Sequence, residues 1–170
     1  MASPEAEPAT GRILVAAEAG RESRAVITAA ARLAKRSHAE VLVLSVRERD
    51  FARGLAWDIH EPGEIAATVS DAIYELQRVG VEARGLIRTA RSGRVAEEIL
   101  YAAHKHHAEE IVIGAPRRSW LRRLLAGSVT RRVVRLSDLP ILIVPGRDRS
   151  DSPDPVPSGS PRGARGHAQA

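Results

Sequence analysis

Two glycines enclose a basic segment whose residue types could hold a phosphate group. Gly114 follows a short apolar run, and Gly127 precedes Ser128 at the start of a segment with helical spacing. A helix that begins there presents free backbone N–H groups and the positive end of its dipole, which favour an anion. A plain N-cap at Ser128 and an ordinary turn at Gly114 would explain the same residues, so both interpretations stay open.

The segment between the glycines is rich in arginine, with Arg117, Arg118, Arg122 and Arg123 close together. Guanidinium groups bind phosphate oxygens in a forked geometry, although most arginine clusters form solvated surfaces. The whole chain has 26 Lys and Arg against 21 Asp and Glu, a net charge of +5 that favours contact with anions. Nucleic acid is disfavoured as a partner, because two Trp, two Tyr and one Phe offer little surface for base stacking.

Other chemistry finds less support in the sequence. The chain has no cysteine, which excludes disulfides and thiolate metal sites. His104 and His107 share a helix face without an evident third ligand, so we predict no metal site, and polar residues at a helix C-terminus are the ordinary interpretation. The group Asp58, His60 and Glu61 is equally ambiguous. No Ser-His-Asp order or Walker loop is visible, so we predict a binding protein without catalytic residues.

The elements that must position these residues alternate between short apolar runs and amphipathic segments. Strands this apolar on both faces are typical of a parallel sheet covered by helices on both sides. Right-handed crossovers then give an α/β, doubly wound, Rossmann-like sheet, for which we choose strand order 3-2-1-4-5. We predict strands at 13–17, 41–46, 82–89, 111–113 and 141–144, helices at 22–36, 62–79, 93–107 and 128–137, and a long loop at 47–61.

This strand order places the switch point of the sheet between the first and fourth strands. Ligands of such sheets bind in the crevice outside the carboxyl ends of the strands, at that point. The loops 18–21 and 114–126 follow those two strands. The basic segment therefore falls where a five-stranded α/β domain would hold a ligand.

The two ends of the chain differ in composition from the domain between them. Residues 1–11 are rich in Pro, Glu and Ala, and residues 146–170 combine Pro, Gly, Ser and Asp with few apolar residues. Such segments bury too little to offset their chain entropy, so we predict disordered ends and a folded domain at 12–145. No apolar run reaches the roughly 18 residues of a membrane span, and the first residues lack the order of a secretory signal. We therefore predict a cytoplasmic protein without a membrane association.

The order of elements and three segments resemble the universal stress protein family over residues 12–145. The segments are ILVAAEAGRES, EEIVIGAPRRSWLRRLLAGSVTRRVVR and LPILIVP. Nucleotide-binding members of that family carry G-x2-G-x9-G-[ST], in which Gly114 would be the first glycine and Gly127-Ser128 the end. Arg117 stands at the second glycine of the motif. Glu18 stands where such members carry an Asp after the first strand.

The resemblance implies a stress-response module that binds ATP or another adenine nucleotide. One alternative is a nucleotide-free dimeric regulator of the same fold, and another is a phosphohydrolase or nucleotidyl transferase. The segment 114–127 contains no Asp or Glu to serve as a base or metal ligand, which counts against the enzyme. The contact residues implied for the nucleotide are Ala16, Ala17, Glu18, Val46, Ile113, Gly114, Arg117, Gly127, Ser128 and Val129.

The last predicted strand, 141–144, lies at an edge of the sheet in the chosen order. A fully apolar exposed edge favours pairing with another chain unless something covers it. The family resemblance implies the same contact, because its members often dimerise through this strand. We therefore predict a homodimer through residues 141–144.

Overall fold

The computed structural model describes residues 9–18, 24–52, 55–58, 61–115 and 129–145. In these residues, five parallel strands run in the order β4-β2-β1-β5-β6. This is the order 3-2-1-4-5 of the predicted strands, which is thereby confirmed. The elements are β1 (Gly11–Ala16), α1 (Arg24–Ser37), β2 (Ala39–Ala52), β3 (Leu55–Asp58), α2 (Pro62–Arg78), β4 (Ala83–Arg91), α3 (Val95–Lys105), β5 (Glu110–Gly114), α4 (Val129–Leu136) and β6 (Ile141–Val144).

The sheet has a hydrophobic cluster on each face, which explains the continuous apolar runs of its strands. Val15 belongs to the cluster that packs against α1 and α2, where Ala30 and Val69 are buried. Leu14, the preceding residue, points to the other face, where Ile99 of α3 is buried. Successive residues of a strand face opposite sides, so a strand covered on both sides needs apolar residues at every position.

An antiparallel hairpin replaces most of the long loop predicted at 47–61. Strand β2 continues to Ala52, and β3 returns beside it, with Asp50 opposite Trp57. The prediction of a loop is therefore wrong for residues 47–52 and 55–58. The extension was missed because residues 47–50 are all charged, and its strand structure comes from pairing with β3 and β4 rather than from burial on both faces.

The amino end of the sheet is held by one buried carboxylate that contacts two arginines. Glu40 of β2 is only 4% exposed. Its carboxylate lies 2.8 Å from a guanidinium nitrogen of Arg12 on β1 and 2.6 Å from one of Arg84 on β4. Arg12 also donates a hydrogen bond to the carbonyl of His106, just past α3. Three neighbouring strands and a helix are thus joined at the end opposite to the predicted site.

The ends of the chain lie mostly outside the described residues. Thr10 donates its backbone N–H to the carbonyl of His38 at 2.9 Å, and β1 begins at Gly11. Residues 1–8 and 146–170, for which we predict disorder, fall outside the described part of the chain. The domain boundaries at 12 and 145 stay a prediction.

Candidate functional site

The carboxyl ends of β1 and β5 lie side by side, as the strand order requires. Ala16 of β1 is in register with Ile113 of β5, one residue before Gly114 ends that strand. Ala17 continues past β1 and donates its N–H to the carbonyl of Leu44 at 2.8 Å. Four of the predicted site residues, Ala16, Ala17, Ile113 and Gly114, therefore come together at one end of the sheet.

Among the described residues, the hairpin leaves a gap in the strand pairing beside the end of β1, which we call the notch. Arg49 of β2 is in register with Arg91 of β4 and also with Asp58 of β3. A strand has two edges, so β3 lies on the edge opposite to β4, which is the edge that β1 occupies. The β1 ladder ends at Leu44 and the β3 ladder begins at Arg49. Residues 45–48 lie between the two ladders, and the flanking Cα atoms are about 16 Å apart along the strand.

Val46 directs its backbone polar groups into this notch. Val41 donates its N–H to Glu82 at 2.8 Å on the β4 edge, whereas Leu44 accepts from Ala17 on the β1 edge. Backbone directions alternate along a strand, so the N–H and C=O of Val46 point to the same edge as those of Leu44. The notch thus presents a donor beside an acceptor, which is the pattern that the edge of a heterocyclic base can match.

The start of α4 is held against the end of β5 by a side chain that sequence reasoning missed. Thr130 Oγ1 donates a hydrogen bond to the carbonyl of Gly114 at 3.0 Å. The sequence offers Ser128 as the helix cap. Thr130 is a second hydroxyl residue in the first turn of the predicted helix 128–137, and this position is the sequence signal that could have indicated its contact. The contact places the amino end of α4 at the same end of the sheet as the notch.

Gly114 also lies close to helix α1. A Cβ built at this position would lie 3.3 Å from Cγ2 of Val26 in α1, tighter than an ordinary van der Waals contact. A larger residue would therefore press β5 against α1. The close approach is a structural reason for glycine here, independent of any ligand.

Two of the remaining predicted site residues, Glu18 and Val129, lie in the part of the chain that the structure describes. Glu18 is exposed and follows β1 by two residues, and Val129 is the first residue of α4. The predictions at Arg117, Gly127 and Ser128 lie outside the described residues.

A network of charged groups connects the turn after β4 with α4. Arg132 of α4 donates to the carbonyl of Gly93 at 3.0 Å and pairs with the carboxylate of Glu97 in α3. Arg94 lies 3.2 Å from the same carboxylate. Partial burial by itself would raise the pKa of Glu97. The hydrogen bond from its own backbone and the charges of Arg132 and Arg94 outweigh that effect, so its pKa lies below the ordinary value.

Two of the histidines and acids considered as candidate ligands, His104 and Asp58, make ion pairs outside this region. His104 Nε2 lies 3.1 Å from a carboxylate oxygen of Asp138, and Asp58 pairs with Arg49 at 2.9 Å. Within the described ranges, no three His, Cys, Asp or Glu side chains are grouped so that they could hold a metal ion. Over the same ranges, none of the helices is both long and apolar enough to cross a bilayer.

Several solved structures have a fold similar to that of this chain. A universal stress protein from Archaeoglobus fulgidus superposes with a TM-score of 0.63 at 22% identity, covering 79% of this chain and 93% of that one. A universal stress protein from the same organism in complex with dAMP gives a TM-score of 0.59 at 23% identity, with coverages of 80% and 98%. An Arabidopsis thaliana family member with AMP bound gives 0.58 at 16% identity, with coverages of 85% and 97%.

The family of the chain follows from its sequence. A search of the curated proteins finds no significant match. The model of the universal stress protein family matches residues 10–145, which include all the described strands and helices. The matched range covers most of the chain, and the fold agrees with that of the similar structures. The chain therefore belongs to the universal stress protein family.

Proposed function

We propose that this protein binds an adenine nucleotide, with the base in the notch beside β2 and the phosphates at the start of α4. The observation that carries the proposal is the placement of both features at the same end of the sheet, on either side of the crevice between β1 and β5. The solved structures in complex with dAMP and with AMP support it, because they share this fold.

The notch suits adenine in particular. The C=O of Val46 can accept from the exocyclic amino group of adenine, while its N–H donates to the neighbouring ring nitrogen. Guanine presents an acceptor and a donor in the reverse order at the same positions, so the same pose does not accommodate it. Ala16 and Ala17, whose side chains are small, lie at the end of β1 beside the notch.

The phosphates then extend toward the amino end of α4. The dipole of α4, which the structure describes over Val129–Leu136, favours negative charge at its amino end. We assign Arg117, Gly127 and Ser128 to this subsite, with Arg117 contributing a guanidinium where nucleotide-binding relatives carry glycine. ATP is the nucleotide we propose, because several arginines of the segment suit a triphosphate.

Isothermal titration calorimetry of the full chain with ATP, AMP, adenosine and GTP tests the proposal. We expect ATP to bind more tightly than GTP and to raise the melting temperature, because a ligand that binds only the folded state stabilises it. Gly127→Val should abolish ATP binding by blocking the approach to the helix. Ser128→Ala should weaken it by about 1 kcal/mol, the order of one lost hydrogen bond. Ser70→Ala, on the exposed surface of α2, is the matched control.

The substitution Arg117→Gly separates two roles of this residue. If Arg117 holds a phosphate group, the glycine variant binds ATP no more tightly than the unsubstituted protein. If Arg117 blocks the site, the glycine variant binds ATP and the unsubstituted protein does not. Binding of ATP to neither protein would refute the nucleotide proposal and would favour a nucleotide-free dimeric regulator.

We also propose that the protein acts in the cytoplasm as a homodimer that pairs through β6. The described part of β6 pairs with β5 on one edge, and Ile143 is 44% exposed. Leu136, at the end of α4 shortly before β6, is exposed as well. Apolar groups beside an edge strand favour association with a second chain.

A further inference from the structure

Gly93, in the turn between β4 and α3, is bound by side chains from two other elements. Its N–H donates to the carboxylate of Glu48 on β2 at 3.0 Å, and its carbonyl accepts from the guanidinium of Arg132 on α4 at 3.0 Å. The residue has a φ of 77°, a conformation that glycine adopts without steric cost. One glycine thus connects a strand and a helix that belong to different parts of the site.

Glu97 strengthens the connection on the side of α4. Its carboxylate pairs with Arg132, so this guanidinium is held by two acceptors, the Gly93 carbonyl and the Glu97 carboxylate. The Arg132 side chain is 44% exposed and that of Glu97 is 31% exposed, so neither ion is isolated from water. Two acceptors in different directions fix the orientation of a guanidinium better than a single ion pair does.

The connected residues are close in sequence to the two proposed subsites. Glu48 follows Val46 by two residues on the same strand, so its backbone faces the same edge of β2. Arg132 follows Thr130 by two residues in the first turns of α4. We propose, on the basis of the proposed function, that Glu48 and Arg132 are positioning residues that fix the phosphate-binding end of α4 relative to the base-binding edge of β2.

This arrangement predicts that a displacement of α4 affects two ligands differently. Adenosine needs only the notch beside β2, whereas AMP must contact the notch and the start of α4 together. Displacement of α4 should therefore weaken AMP and leave adenosine nearly unaffected. A general loss of stability would not change the ratio of the two affinities, so the ratio distinguishes positioning from a merely structural role.

The experiment measures AMP and adenosine dissociation constants for the full chain by calorimetry. Arg132→Gln should weaken AMP binding by about tenfold, the order of one lost hydrogen bond to a charged group, and adenosine binding by less than about twofold. Arg132→Lys keeps the charge but loses one of the two contacts, and it should give an intermediate ratio. Arg135→Gln removes the same charge from the exposed last turn of α4 and is the control.

A double substitution tests whether the two residues act through the same turn. Glu48→Gln, like Arg132→Gln, should lower the ratio of the AMP affinity to the adenosine affinity. The double variant, Glu48→Gln with Arg132→Gln, should lose less AMP affinity relative to adenosine than the product of the two single losses, because either change releases the same turn. Equal weakening of AMP and adenosine, or an unchanged ratio in Arg132→Gln, would overturn the inference while leaving the proposed function intact. Failure of the unsubstituted protein to bind either ATP or AMP would instead refute the proposed function, and the inference with it.

Discussion

At the residue scale, a single carboxylate links two helices beside the site. Glu97 belongs to α3 and pairs with Arg132 of α4 as well as with Arg94 at the start of its own helix. Its pKa is lowered, so the folded state favours the ionised carboxylate. A carboxylate whose pKa is lower in the folded than in the unfolded state stabilises the folded state at pH values above its unfolded-state pKa. This contribution is lost as the pH falls through the folded-state pKa.

Substitution Glu97→Gln should therefore have an effect on stability that depends on pH. We expect the variant to be less stable than the unsubstituted protein at about pH 6, and the difference to shrink as the pH falls toward about pH 3. Urea unfolding of the two proteins at several pH values measures this difference. Glu48 brings another carboxylate to the same turn, but its contribution cancels because the two proteins differ at Glu97 alone.

The pH dependence also has an internal control. In the background of Arg132→Gln the carboxylate has lost its main cationic partner, so the pH-dependent effect of Glu97→Gln should be smaller. An effect of equal size in both backgrounds would show that Arg132 does not stabilise the ionised form of Glu97.

At the scale of elements, burial decides what the sequence predicts well. The three central parallel strands, β1, β2 and β5, are buried on both faces, so apolar runs such as residues 111–113 predict them directly. The hairpin of β2 and β3 could not be predicted in the same way, because β2 enters it through four charged residues, 47–50, and the two strands are joined by backbone pairing, as between Asp50 and Trp57. Thr130 was missed for a related reason. Its partner, the Gly114 carbonyl, becomes adjacent only once β5 and α4 have packed.

The packing of α2 on β4 depends on a glycine in the strand. A Cβ at Gly85 would lie 2.5 Å from Cγ1 of Val69 and 2.9 Å from Cδ1 of Ile73, both on α2. We expect Gly85→Ala to lower the free energy of unfolding by about 1–3 kcal/mol, because overpacking forces the helix outward. Gly63→Ala, in the first turn of α2 with no atom within 4 Å of its Cβ, is the control and should stay within about 0.5 kcal/mol.

Thermal and chemical unfolding of these two variants test the contact. Equal stability of both would mean that α2 moves away from the strand at no cost. Such a result would show that the helix is loosely packed on this face of the sheet.

At the scale of the whole molecule, the outermost of the five described parallel strands, β4 and β6, differ in composition. Strand β6 is fully apolar, whereas β4 carries arginines among its residues, including Arg84 and Arg88. Charged residues on an edge oppose pairing with another chain, and apolar ones favour it. The asymmetry supports association through one edge.

Lysine substitutions at the two edges test this asymmetry. Ile143→Lys on β6 should convert a dimer into a monomer, measured by light scattering, because a charge would be buried in the contact. Ile87→Lys is the control, since Ile87 is 40% exposed on β4 at the opposite edge and nearly matches the 44% of Ile143. A monomeric unsubstituted protein, or dissociation of both variants, would contradict pairing through β6.

The carboxylate of Glu40 has an evolutionary consequence. It fixes β1, β2 and β4 at the amino end of the sheet, while the chemistry of the proposed site lies at the carboxyl end. A slip of one residue would turn every side chain of a strand to the wrong face, so an anchor that resists slipping protects the core. We therefore expect residues of the proposed site, such as Arg117, to tolerate substitution without loss of the scaffold.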